Sequence, residues 1–219
     1  MKTELAFCAL LALAFSAAVV AQPVRDESST GPRNAVVLII RHAEDAASGK
    51  GLSPLGTTRA GGYANYFKNF TIDGEHLKLN YIFATRDSRN SQRPRLTIEP
   101  TAEEFGLAID SRFKNKEFLD LADEIRGLPP GSEILIAWHH GKIPRLLQAL
   151  GADAKALLPN GKWPDDEFGW MIQLRYDKDG RLFESKRISS LPAASAISPN
   201  LTPSNIALEI GAYPAQFGR

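Results

Sequence analysis

The sequence predicts an α/β protein, a three-layer sandwich with helices on both faces of a mostly parallel central sheet. Three observations predict it. Residues 35–40 (AVVLII), 81–84 (YIFA) and 133–138 (EILIAW) are short, continuous apolar runs, the pattern of strands buried on both faces. Stretches with helical spacing separate them, so strand and helix alternate along the chain. With 43% hydrophobic and 23% charged residues in a chain of 219, one sizeable core can form and compositional disorder is excluded.

The elements follow in order. Residues 1–21 place Met1 and Lys2 ahead of an apolar run and end in Val20-Ala21 before Gln22-Pro23, which reads as a secretory signal peptide. A secreted or periplasmic product is therefore expected, with no stable membrane anchor once the signal is removed. The single cysteine, Cys8, lies inside that run and would leave with it, so no internal disulfide and no Cys-rich metal site is expected. Residues 22–33 are polar with Pro, Ser and Gly and read as a linker. The strand at 35–40 runs into Arg41-His42, and helical spacing covers 57–70 after a Gly-rich loop. The strand at 81–84 leads to Thr85-Arg86, and 91–106 reads as a helix around Pro94 and Pro100. Residues 116–128 form an amphipathic helix with Phe118, Leu119, Leu121, Ala122 and Ile125 on its apolar side, stopped by Pro129-Pro130-Gly131. The strand at 133–138 ends in His139-His140, and a further helix covers about 144–150. Residues 171–176 and 182–188 flank Asp177-Lys178-Asp179-Gly180 as a hairpin, whose turn lacks the further ligands of a calcium loop. The folded domain is expected over 34–190, with 191–219, rich in Pro, Ser and Ala, as a C-terminal surface segment.

Lys and Arg number 26 against 25 Asp and Glu, a net charge of +1, so no global attraction to nucleic acid or to an anionic membrane is expected. Local charge is a different matter. Open α/β sheets bind ligands beyond the carboxyl ends of their strands. There the three runs deliver Arg41-His42, then Arg86, Arg89, Arg93 and Arg95, then His139-His140. Three of the four histidines and a run of arginines at one sheet edge describe an anion site, and phosphate matches the guanidinium fork. His139 and His140 point opposite ways on an extended chain, and cysteine ligands are lacking, so no metal site and no cofactor is expected. Neither a Gly-x-Ser-x-Gly elbow nor a P-loop occurs. Trp163, Phe168 and Trp170 either line the site or join the core.

These residues resemble a known family. Residues 38–44 (LIIRHAE) resemble the Arg-His-x-Glu signature of the histidine phosphatase superfamily, and 52–60 (LSPLGTTRA) is similar to the Leu-Thr-x-x-Gly-x-x-Gln-Ala segment that follows it. Arg93-Pro94-Arg95-Leu96-Thr97 matches the family's helix start in its Arg and Thr, and His140-Gly141 matches its His-Gly. The resemblance covers about 35–190. It implies a phosphoglycerate mutase-like fold and an exported phosphatase, acting without metal or cofactor on a small-molecule or macromolecular phosphate substrate. It also implies that His42 is the nucleophile and forms a phosphohistidine, while Arg41, Arg93 and His140 hold the phosphoryl oxygens. Arg89, nearer the strand end, is a second candidate for the place of Arg93. Aligning on His-Gly puts His140 in the site and turns His139 away. Glu44, beside the nucleophile, is a candidate proton donor, with Glu103 and Glu104 as others, although Thr101-x-x-Glu104 also spells a capping box. Physical chemistry agrees with the assignment of His42, since nearby guanidinium charge keeps an imidazole neutral and nucleophilic. The alternatives are a phosphate-binding module of the same fold without turnover and a mutase-type phosphotransferase.

Overall fold

The computed structural model describes residues 31–189. The expected signal peptide with Cys8, most of the linker and the segment 191–219 lie outside the described residues. In chain order the elements are β1 (Val36–Arg41), α1 (Pro54–Asn69), β2 (Thr71–Ile72), β3 (Glu75–His76), β4 (Tyr81–Ala84), α2 (Arg93–Phe105) and β5 (Ile109–Asp110). They continue with α3 (Phe118–Gly127), β6 (Glu133–Trp138), α4 (Ile143–Ala149), α5 (Ala154–Leu157), β7 (Met171–Tyr176) and β8 (Leu182–Ile188).

Six strands form one mixed sheet in the order β5-β4-β6-β1-β7-β8. The first four are parallel, and β7 and β8 are added antiparallel. Because side chains alternate across a strand, each central strand feeds two cores. Val37 and Ile39 of β1 join Ile134, Ile136 and Trp138 of β6 under α3 and α4. Leu38 and Ile40 join Leu135 and Ala137 under α1 and α2, against Tyr63, Phe67 and Ile98. This two-sided burial is why the runs lack polar alternation, and each such side chain contributes about 1.5–3 kcal/mol. The expected three-layer α/β fold is present.

The helix ends follow local chemistry. Ser53 caps α1, its Oγ accepting from Gly56 N at 3.0 Å, with Pro54 in the first turn, so the helix begins three residues before the expected position 57. Gly56 is required by packing: a Cβ there would lie 2.5 Å from the Glu44 carbonyl oxygen. That contact holds α1 against the segment after β1. The helix α2 carries Pro94 in its first turn and Pro100 within it, and ends in Gly106 at φ 63°. In the β7–β8 turn the Asp177 carboxylate accepts from the backbone N–H of Asp179 and Arg181 at 2.8 and 2.9 Å, the hydrogen bonds that hold its carboxyl below the usual range.

One expectation is corrected. Leu119 does not belong to the apolar side of α3; it is 59% exposed, while Leu121, Ala122 and Ile125 are buried. Among the described residues, no helix is long and apolar enough to cross a membrane.

Candidate active site

Register builds the site. Arg41 at the end of β1 stands opposite Trp138 at the end of β6, and His42 N donates to the Trp138 carbonyl at 3.1 Å. The first residue beyond β1 is therefore level with the first beyond β6, His42 beside His139. On the other side of β6, Ala84 of β4 pairs with Ala137, and Thr85 N reaches the Ala137 carbonyl at 3.3 Å. The three strand ends meet as expected.

His42 is 2% exposed. Its Nδ1 lies 2.8 Å from the Ala43 carbonyl, which can only accept, so Nδ1 carries the proton and Nε2 keeps its lone pair. Burial pushes its pKa down to about 3, the Ala43 hydrogen bond opposes this, and His139, Arg41 and Arg93 lower it further. A buried, neutral imidazole of fixed tautomer results. The segment is tied to α2 through Thr97, whose Oγ1 accepts from Ala43 N at 2.8 Å and donates to the Arg93 carbonyl at 2.7 Å.

His139 does not turn away. Its ring centroid is 5.1 Å from that of His42, edge to face, whereas His140 is at 6.5 Å. Burial, then Arg93, His140 and Arg41, push its pKa down to about 4. His140 sits farther out, with Nε2 3.0 Å from Asp165 Oδ1 and Nδ1 buried without a partner among the described residues. Burial is the main cause that lowers its pKa, with Asp165 opposing. Both imidazoles face the site, because the chain turns sharply into α4 directly after β6, with Ile143 N within 3.3 Å of both the His139 and His140 carbonyls.

Arg41 is 4% exposed. Its NH1 donates to the carbonyls of Pro164, Asp165 and Glu167 at 3.2, 2.5 and 3.2 Å, and its guanidinium lies 3.8 Å from the Phe168 ring centroid. Burial lowers its pKa, and Asp45 and Asp165 are the leading charges that oppose this. Arg93, at the first position of α2, has NH1 3.2 Å from Asp45 Oδ2. The Nε atoms of both arginines are buried without a partner among the described residues, as is the Thr85 hydroxyl. Buried donors left open in this way call for an acceptor that the protein does not itself supply.

Two expected residues are placed elsewhere. Glu44 does not face the imidazoles as an open acid: Arg59 of α1 grips its carboxylate, Nε at 2.9 Å from both oxygens and NH2 at 2.6 Å from Oε1. Arg89 is exposed and is not among the charges that act on His42 or His139, whereas Arg93 acts on both. Of the other acid candidates, Glu104 pairs with Lys68 at 2.5 Å. The aromatic residues divide: Trp163 is buried in the core at 3% exposure, while Phe168 lies 6.4 Å from the His42 ring and covers Arg41. Sequence reasoning also passed over Asp45 and Asp165, the two carboxylates that stand at the site.

No family model matches the chain, and no curated protein does. Solved structures do. A phosphoglycerate mutase from Plasmodium falciparum superposes with a TM-score of 0.50 at 15% identity, covering 72% of this chain and 91% of its own. A protein from Agrobacterium tumefaciens named for the phosphohistidine phosphatase SixA gives 0.49 at 18% identity, covering 69% of this chain and 97% of its own. A mycobacterial glucosyl-3-phosphoglycerate phosphatase gives 0.41 at 16% identity, covering 71% and 98%. Identity at this level speaks to architecture alone, and with the sheet order it leads to one conclusion: the chain has a phosphoglycerate mutase-like α/β fold.

Proposed function

We propose that this protein is an exported phosphatase that hydrolyses a phosphate ester through a phosphohistidine on His42, without a metal ion. One observation carries the reading: a buried neutral imidazole of fixed tautomer lies among cationic side chains whose Nε–H groups are left open. Nε2 of His42 attacks phosphorus, the N–P bond forms, and the P–O ester bond breaks. Water protonates the leaving oxygen, since Glu44 is held by Arg59 and the carboxylates at the site face Arg93 and His140. A second water then attacks phosphorus and gives its proton to the hydroxide left by the first, the N–P bond breaks with its electron pair returning to Nε2, and inorganic phosphate leaves. Arg41, Arg93 and His139 gather the charge that spreads over the equatorial oxygens, with His140 at the rim. His139 takes the inner place that the resemblance gave to His140. Without a dedicated acid, substrates with good leaving groups are favoured. Export rests on the signal peptide read from the sequence, and the likeness of fold to phosphatases and a mutase supports phosphoryl chemistry in general.

The test uses an aryl phosphate and a labelled phosphate donor. The parent should turn over and, when quenched in alkali, retain an acid-labile label on His42. The His42→Ala variant should lose at least about 10³-fold in kcat and all label. Equal rates in the two would end the reading. Phosphate binding without label or turnover would instead identify a non-catalytic phosphate-binding module.

A further inference from the structure

Asp45 is placed where neither composition nor motif would put a carboxylate. Its Oδ1 lies 3.3 Å from Nδ1 of His42, and its Oδ2 lies 3.2 Å from NH1 of Arg93. The backbone around it is pinned: Asp45 bridges to Leu52, Ser53 N donates to the Glu44 carbonyl at 2.9 Å, and Gln92 N donates to the Lys50 carbonyl at 2.8 Å at the entrance to α2. The half-exposed carboxylate thus touches the proposed nucleophile on one side and a proposed phosphate anchor on the other.

We propose that Asp45 is a positioning residue with two successive tasks, an inference that rests on the phosphohistidine reading above. In the empty site its carboxylate occupies Arg93 as a stand-in anion, so an arriving phosphate must displace it. Once Nε2 of His42 is bonded to phosphorus with Nδ1 still protonated, the ring is cationic, and the same carboxylate lies beside the charged Nδ1–H. Ala43 supplies a neutral acceptor at that proton; Asp45 supplies the negative charge. Phosphate binding and phosphoenzyme stability are therefore set in opposite directions by one side chain.

That opposition is what the experiment reads. In Asp45→Asn, which keeps an acceptor but removes the charge, and in Asp45→Ala, which removes both, orthophosphate should bind several-fold more tightly than in the parent. The fraction of enzyme trapped as phosphohistidine in the steady state should fall roughly tenfold, the order expected when a carboxylate is lost from beside a charged donor. Asp166→Asn removes the same charge from the neighbouring exposed loop and should move neither quantity. Weaker or unchanged orthophosphate binding in both Asp45 variants, or unchanged phosphohistidine occupancy, overturns the proposal. If the parent itself takes no label, the phosphohistidine reading fails and the second task with it. The displacement of Asp45 by phosphate is still decided by the binding measurement.

Discussion

The two ends of the parallel strands are built from the same backbone geometry and finished in opposite ways. At the amino end of β6, the Asn80 side chain accepts from Glu133 N at 2.8 Å and Asn80 N donates to the Glu133 carbonyl at 2.9 Å. Beside them the Glu133 carboxylate accepts from Lys78 N, and Ser132 Oγ donates to the Pro129 carbonyl at 2.6 Å. At the carboxyl end, Nε of Arg41 and of Arg93, Nδ1 of His140 and the hydroxyl of Thr85 are buried without partners among the described residues. One end pairs the polar groups just named within the fold, and the other keeps these four atoms open. Buried polar groups left open cost on the order of 1–3 kcal/mol each, so they persist where something other than stability is served.

The sharpest way to break this contrast is to remove an open group. Arg93→Ala should lower kcat toward an aryl phosphate by about 10²-fold or more, as loss of a charge-stabilising donor does. It should move the melting temperature little, because its Nε has no partner to lose and its NH1 gives up only the contact with the half-exposed Asp45. A variant that kept its activity while melting several degrees lower would make Arg93 a structural residue and erase the difference between the two ends.

Acid sharpens the contrast by a different route. Unfolded histidines titrate near 6.5, while burial holds His42 down to about 3 and His139 down to about 4. Below pH 6.5 and down to those values the unfolded chain binds more protons than the folded one, so stability falls as pH falls. The denaturation midpoint in urea should accordingly be lower at pH 4.5 than at pH 7, with a smaller drop in a His42→Asn, His139→Asn double variant. Over the same interval the imidazole of His42 stays neutral, so kcat/KM should show no acid limb near pH 6.5 that belongs to the nucleophile. Equal pH sensitivity in parent and double variant would mean that the strand-end histidines are not held neutral.

How much of this was legible depends on the kind of signal. The strands β1, β4 and β6 were readable because two-sided burial leaves an unbroken apolar run, and the hairpin because Asp177-Lys178-Asp179-Gly180 is turn chemistry between two strand-like stretches of mixed polarity. The two-residue strands β2, β3 and β5 are too short to carry any period. His42, Arg41 and Arg93 were readable as residues at strand ends. The choice between His139 and His140 was not, because it depends on the β1–β6 register, which levels His42 with the residue after Trp138. Alternation on an extended chain failed there because the backbone leaves the extended conformation after Trp138. Glu44 was adjacent to the nucleophile in sequence, but Gly56 and Arg59 of α1 draw it aside. Asp45 follows Glu44 and Asp165 opens the run Asp165-Asp166-Glu167, and only tertiary placement distinguishes them from their acidic neighbours.

The smallest effect is expected at the finished end of the sheet, and it is informative because it is small. Asn80 is exposed, and its side chain supplies one neutral hydrogen bond to Glu133 N, so Asn80→Ala should cost about 0.5–1.5 kcal/mol. For a domain of this size that is a fall of a few degrees in melting temperature. Turnover of an aryl phosphate and affinity for orthophosphate should both be unchanged, since the strands of β1, β4 and β6 separate Asn80 from the imidazoles along their whole length. Loss of activity matching that of Arg93→Ala would show that the two ends are coupled through the sheet. A stability cost without an activity cost at this end, set against the reverse at the other, separates the groups that hold the fold from those the fold holds open.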